Sequence, residues 1–254
     1  ADPTQSKFGF KEQVVANGTV VDSYAREAPI SMGAGDEYAQ IDGVFTFAGN
    51  NYRDGSAFGT IPNDSAKLSI VWTKSIGVID KWAGVGWTGQ PAIVRWSDEV
   101  KNVMNLADEK KAKQGLREVI YGTLDGKIYF LDLDDGEQTR EPIKIGASIK
   151  GSVSVDPRGY PLLYCGQGIF EVNGKSVDIG TRVFSLIDQS RLMFIDGRDK
   201  YCLRRWYAFD CSPLLDAKSD TLLQLGENGI LYSVKLNTQF DPAGGTIQID
   251  PVLD

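Results

Sequence analysis

The sequence predicts an all-β protein, a β-propeller built from four-stranded antiparallel blades, on three observations. Short apolar-alternating runs recur almost throughout the 254 residues, turn residues (Gly, Asp, Asn or Pro) separate them, and the runs themselves are rich in Val, Ile, Tyr and Phe. Period-two alternation sends successive side chains to opposite faces, so each run offers one face to a core.

Taken in order, residues 1–40, including AREAPISMGAGDEYAQ, lack this regularity and read as an irregular lead-in that wraps the domain edge. Residues 41–254 read as blades. Strands are expected in GVFTFAG (43–49), KLSIVWTKSIG (67–77), QPAIVRW (90–96) and EVIYGTLDGKIYFLDL (118–133). More follow in PIKIG (142–146), GSVSV (151–155), YPLLYCG (160–166), RVFSLI (182–187), RLMFIDG (191–197), TLLQLGENGILYSVKLNT (221–238) and TIQID (246–250). The segment SDEVKNVMNLADEKKAKQGL (97–116) differs: Ser97 is an N-cap type followed by Asp98 and Glu99, Val100, Val103, Met104 and Ala107 recur at helical spacing, and lysines and Gly115 close it. That pattern predicts one inserted surface helix over 97–116, its charges matched to the helix dipole.

A repeat runs beneath these elements. After Pro91, Pro161 and Pro213, two apolar residues and a strand lead to a turn ending in Gly126, Gly168 or Gly229, preceded by Asp125, Gln167 or Asn228. Asp and Asn tolerate the left-handed conformation that primed hairpin turns need. A second alternating strand follows each turn, KIYFLDL, IFEV or ILYSVKL, and the glycines lie 42 and 61 residues apart, bracketing the ~40–50-residue period of propeller blades. A four-stranded unit cannot bury both of its faces alone, and packing units around an axis solves this while shielding their edges. About four to five blades fit the chain, which reads as the N-terminal portion of a longer propeller.

The stretch YGTLDGKIYFLDLDDGE at 121–137 resembles the repeat of the PQQ-like (quinoprotein-type) β-propellers. GVFTFAGNNYRDG (43–55), WTGQPAIV (87–94), AFDCSPLLD (208–216) and LGENGILYSVKLNT (225–238) are similar to PQQ-binding-like propeller proteins of Gram-positive, largely gut-dwelling bacteria, over roughly residues 40–254. The resemblance implies a bacterial extracellular or cell-surface protein, and for catalytic members a quinone with calcium. Those members usually carry an adjacent-cysteine pair, which this chain lacks.

Composition narrows the function. With 34 acidic against 27 basic residues the net charge is -7, so nucleic acid and anionic lipid are disfavoured partners. The chain has no histidine, which removes Ser-His-Asp and Cys-His nucleophile systems and every His-ligated metal site. No stretch approaches the ~18–20 apolar residues of a membrane helix, so the chain is not expected to span a membrane. Ala1-Asp2-Pro3 is the kind of remnant a secretion vector leaves, and Asn17-Gly-Thr and Asn63-Asp-Ser are glycosylation-type sequons. Cys165, Cys202 and Cys211 are either free thiols or include one bridge, for which the spacing favours Cys202–Cys211 across a hairpin.

Candidate site residues lie in loops. IDKWAGVGWTG (79–89) sets Trp82 and Trp87 among small residues; they serve either as anchors for a partner or as wedges between blades. The turns at Asp125, Gln167 and Glu227-Asn228 share the same expected face. Asp132-x-Asp134-Asp135-Gly136 looks like a calcium loop, but Ile143 stands where the twelfth-position Glu should be, and turn aspartates bonding their own backbone explain it better. Arg204-Arg205-Trp206 is a candidate cation–π cluster, and Asp98/Glu99 or Glu227 with Asp210 are nominal carboxylate pairs that nothing singles out. The expectation is therefore a non-catalytic extracellular propeller, without cofactor, that binds or scaffolds a protein, peptide or glycan or docks the remaining blades. The alternative is a PQQ-dependent oxidoreductase whose cofactor site lies partly elsewhere.

Overall fold

The structure, a computed structural model, describes residues 12–56 and 67–253. The sequon at Asn63 and Ala1-Asp2-Pro3 lie outside the described residues. Three antiparallel sheets of four or five strands follow one another along the chain, with four small two-stranded ribbons between and beside them, and none of the sheets closes on itself. The mostly-β expectation is met, and the described residues form three such sheets.

The first sheet runs, in spatial order, Gly43–Val44, Ala92–Arg95, Arg117–Gly122, Lys127–Asp132 and Ile143–Lys144. The second is Ser154–Val155, Leu162–Cys165, Gly180–Ser185 and Arg191–Asp196, and the third Leu214–Asp216, Thr221–Leu225, Leu231–Lys235 and Val252–Leu253. In each of the three sheets strand order in space follows chain order, an antiparallel meander.

Side-chain alternation explains how the sheets stack. In Leu162–Cys165 every residue is buried: Leu163 and Cys165 pack with Val94, Ile120 and Phe130 of the first sheet, while Leu162 and Tyr164 pack with Leu215, Leu222 and Val234 of the third. A strand apolar at every position is what a sheet covered on both faces requires. The outer face of the first sheet carries Val119, Tyr129 and Leu131, covered by Trp72 and Ile76. The KLSIVWTKSIG segment forms no strand: Trp72, its indole N–H donating to Leu133 O at 2.8 Å, and Ile76 lie on the sheet, while Leu68, Ile70 and Val71 stay exposed.

Part of the N-terminal segment packs on the third sheet. Arg26 donates to Thr221 Oγ1 and Ser31 N to Asp216 Oδ2, so residues 26–31 lie along the third sheet. Residues 43–46 then bind the first strands of the sheets together. Gly43 pairs with Val94, Phe45 O accepts from Val155 N at 2.8 Å, and Thr46 Oγ1 donates to Pro213 O at 3.0 Å.

The insertion at 97–116 is two short helices, Asp98–Val103 and Asp108–Ala112, where one was expected. Ser97 caps the first as predicted, its Oγ accepting from Val100 N at 3.2 Å. The break falls at 104–107 because both Met104 and Leu106 are buried, a spacing of two that only extended backbone supplies, and Ala107 N bonds Thr139 O at 2.8 Å. The insertion is also more than a surface decoration: Lys110 and Lys113 bracket the buried carboxylate of Asp132 at 3.0 and 2.6 Å, and Lys113 and Arg117 hold Asp134 at 2.8 and 2.5 Å. The DLDDG turn is thus neutralised by cations of the protein itself, while Asp132 and Asp135 also accept from the backbone of Asp134 and Glu137.

Candidate functional site

At one end of the sheets, the turn between the middle strands of each sheet bonds to the connections leading into sheets. Leu124 N donates to Gly84 O, Gly168 N to Ser148 O and Glu227 N to Ala208 O, at 2.8 to 3.0 Å; Ile149 N and Phe209 N donate back to Thr123 O and Gln167 O. The repeat read from the glycines is therefore a repeat of contacts. Two of the turns share one geometry: Thr123–Lys127 and Gly226–Ile230 enclose three-residue loops with Gly126 at φ 76° and Gly229 at φ 88°. This is a type I turn closed by a left-handed glycine, one residue longer than the primed turn that Asp-Gly and Asn-Gly suggest. The GQGIFEV turn departs further. Glu171–Val172 pairs with Lys175–Ser176 in a separate ribbon, and the next strand of the sheet is Gly180–Ser185.

These contacts gather side chains far apart in sequence. The Lys150 ammonium stands 5.0 Å from the Trp82 ring centroid and 6.0 Å from that of Trp206. Trp206 meets Phe170 edge-on at 5.6 Å, and Phe170 meets Tyr207 at 5.9 Å. The ribbon bearing Trp82 touches the ribbon following Phe170, where Asn173 N donates to Asp80 Oδ2 at 3.3 Å. Beside this aromatic group lies Asp210, half-buried, whose Oδ1 is sealed from solvent and has no hydrogen-bond partner. Gly168 makes the arrangement possible: a Cβ there would lie 2.6 Å from Lys150 Cγ and 2.7 Å from Asp210 Oδ1. Among the described residues no oxygen accepts from the Lys150 ammonium, so a cation and a carboxyl oxygen stand close together without hydrogen-bond partners.

Burial pushes the Asp210 carboxyl up to about 6, the Lys150 charge opposes this and the Glu227 charge adds to it. A carboxyl whose pKa is raised on folding costs stability once it ionises: the cost is absent near pH 4, grows as pH rises towards 6, and is constant above. Asp210→Asn is therefore expected to stabilise the protein by about 1–2 kcal/mol at pH 7.5, less than the full value of the shift because the group is partly solvated. The gain should vanish near pH 4, as urea unfolding at the two pH values would show; a pH-independent difference would contradict the assignment.

Of the residues expected to form the site, Trp82 is in it, and Trp87 stands on the same connection with 96% of its surface exposed, so it does not wedge between sheets. Glu227 contributes its charge near Asp210 and its backbone bond to Ala208. Asp125 and Asn228 are structural. Asp125 is buried and accepts from Gly77 N, Thr123, Tyr129 and Lys127 at 2.5 to 3.0 Å. Burial raises its pKa, but the bonds from Thr123, Tyr129 and Lys127 outweigh that and hold it below the usual carboxylate range. Asn228 is buried too, donating to Gly197 O and Tyr232 OH and accepting from Ile230 N.

Sequence reasoning left Lys150 and Phe170 unmarked and named Trp206 for a different partner: Lys150 approaches its ring, where Arg204 and Arg205 were expected. The Cys202–Cys211 bridge does not form, and all three cysteines are free. The spacing argument needed a hairpin, but residues 197–213 carry no strand pairing, Cys202 Sγ turns onto Gly197 O and Cys211 is exposed. Burial pushes the Cys165 thiol up to about 12, making it a core residue.

A cavity of about 830 Å³ lies elsewhere, between the N-terminal ribbon and the third sheet, lined by Val15, Tyr201, Leu203 and Leu231. It shares none of Trp82, Lys150, Trp206 and Asp210, and its cations Arg198 and Lys200 already donate to Val177 O and Gly18 O. Chemistry, not volume, selects the aromatic cluster around Lys150 as the candidate site. No protein-family model matches the chain, and no curated protein matches its sequence.

Proposed function

We propose that the chain is a portion of a PQQ-like β-propeller that serves as a non-catalytic, extracellular binding module of a bacterial protein, and that its partner engages the cleft of Trp82, Lys150, Trp206 and Asp210. The fold reading is supported by consecutive four-stranded meanders stacked face to face, with the same turn-to-connection bonds recurring between them. The observation that carries the function is the cluster itself: indole surface, an ammonium without an acceptor and a carboxyl oxygen without a donor, on loops held by the sheets. Trp87, nearly free of protein contact on the adjoining loop, adds an anchor of the type that dominates interfaces.

The oxidoreductase alternative needs donors for calcium beside a quinone. Among the described residues no group of three or more acids or cysteines is placed to hold a metal ion. The DLDDG carboxylates are committed to Lys110, Lys113 and Arg117, and Asp210 faces a lysine. The residues present do not fit that cofactor. Among the described residues no helix is long and apolar enough to cross a membrane.

Thermal shift with neutral oligosaccharides, acidic peptides and quinone plus calcium tests the reading, on the wild type and on a Trp82→Ala/Trp206→Ala variant. A ligand that raises Tm in the wild type and loses at least tenfold in affinity in the variant supports it. Ligands that act equally on both proteins, or quinone with calcium as the effective addition, overturn it.

A further inference from the structure

The unpartnered groups of the cleft restrict what it can hold. A cationic ligand is disfavoured, because Lys150 already occupies the cation position between the Trp82 and Trp206 rings. A carboxylate or phosphate would satisfy the ammonium but meet Asp210. What fits is a ligand that accepts a hydrogen bond from Lys150 and, beside it, donates one to Asp210, while offering an apolar face to indole. A peptide group both donates and accepts, but its N–H and C=O point in opposite directions. Neighbouring hydroxyls of a sugar ring each do both and lie side by side, and the ring's C–H face packs on an aromatic surface.

Resting on the binding-module reading above, we propose that this cluster is a carbohydrate site: a neutral pyranose packs its C–H face on the exposed indole surface of Trp206 that the ammonium leaves open, while two vicinal hydroxyls bridge the Lys150 ammonium and the Asp210 carboxylate. The two groups are held to this task by Gly168, against which both the lysine stem and Asp210 Oδ1 pack. Asp210 Oδ1 is sealed, but the residue is only half-buried and its second carboxyl oxygen is neither sealed nor bonded within the protein, so a ligand meets Asp210 through that oxygen, and the flexible lysine stem adjusts to it. The charged groups facing the carboxyl are Lys150 from the connection into the second sheet and Glu227 from the turn of the third. Sugar binding is accordingly expected to strengthen as Asp210 ionises, between about pH 5 and pH 7.

The test is calorimetric titration at pH 7.5 with neutral gluco-, galacto- and manno-configured disaccharides and their 2,3-di-O-methyl ethers, on the wild type, Asp210→Asn, Lys150→Met and Trp206→Ala, each verified as folded by its unfolding curve. The expected result is binding by at least one parent sugar, lost more than tenfold on methylation and in each variant. Asp210→Asn is the informative variant, since it is expected to be more stable than the wild type and yet to bind less. Three outcomes overturn the proposal. Equal binding of parent and methylated sugars removes the diol contact. Binding of acidic peptides but no sugar, sensitive to Lys150→Met and Trp206→Ala, leaves the binding cleft standing and removes its carbohydrate ligand. No change in any variant towards any ligand removes both.

Discussion

Replacing Arg140 with methionine is expected to lower the free energy of unfolding by about 3–5 kcal/mol, the largest effect of any single substitution considered. Arg140 and Glu118 are both fully buried, with Nη2 2.7 Å from Glu118 Oε2. The carboxylate also accepts from Trp96 Nε1 at 2.8 Å and from Thr139 Oγ1, and the guanidinium donates to Leu186 O at 2.8 Å. It lies 4.8 Å above the Phe130 ring. One side chain thus satisfies a buried acid of the first sheet and a carbonyl of the segment between the last two strands of the second. Methionine keeps much of the apolar volume but leaves Glu118 charged, desolvated and short of its counter-ion, and that penalty dominates the loss. Urea unfolding of Arg140→Met against Arg140→Met/Glu118→Gln separates the contributions: the double variant should recover at least half of the loss, and a double variant as unstable as the single one would place the cost in packing.

A loss of about 2–4 kcal/mol is expected for Lys110→Ala/Lys113→Ala, because Asp132 has no exposed side-chain surface and both lysines touch it. Burial alone would raise the Asp132 pKa, but Lys113, the Asp134 backbone N–H and Lys110 together hold it below the usual carboxylate range. A carboxyl with a depressed folded pKa contributes stability that is full above its unfolded pKa, near 4, and is lost as pH falls through the folded one. The gap between wild type and variant should therefore be widest at pH 7 and narrow below about pH 4. A gap that persists at pH 2.5 would mean that the second helix acts through packing and not through these ion pairs.

Local chemistry made much of this fold legible. Alternation located most strands, Gly126 and Gly229 marked real turns, and Ser97 marked a real helix start. What alternation cannot see is how many residues a turn takes. Asp125 and Asn228 looked like left-handed turn tips presented to solvent, but the extra loop residue leaves the left-handed position to the glycine and turns both side chains into the protein. Nor does it show what a run packs on: KLSIVWTKSIG has the composition of a strand, and Trp72 pins it instead as a cover. The helix pattern over 97–116 was sound locally and failed where two buried residues, Met104 and Leu106, needed extended spacing.

The candidate site was legible only in part, for a reason of topology. Trp82, Lys150, Phe170 and Trp206 lie on separate connections, and nothing in the residues around Lys150 sets it apart from a solvent-facing lysine. They meet because equivalent loops of successive sheets are bonded to one another, as Gly168 N to Ser148 O and Phe209 N to Gln167 O illustrate. A sequence signal did exist: Gly86 and Gly151 stand where another stretch of backbone passes too close for a Cβ, one on Gly151 lying 2.2 Å from Asp210 O, and a Cβ on Gly168 would strike the side chains of Lys150 and Asp210. Glycines in matched loops mark where backbones converge, and the residues beside them are the ones that share a site.

The central claim, that the indole-lined cleft is where a ligand binds, is tested most directly by the indole N–H signals of the five tryptophans, assigned by single substitution in a ¹⁵N-labelled sample. On titration with the disaccharide panel, the Trp82 and Trp206 signals should shift together and saturate at one concentration, while buried Trp96 and sheet-covering Trp72 stay unmoved. Still signals at Trp82 and Trp206, with saturable shifts confined to the backbone amides around Leu203 and Leu231, would contradict the account and move the site to the cavity beside the N-terminal ribbon.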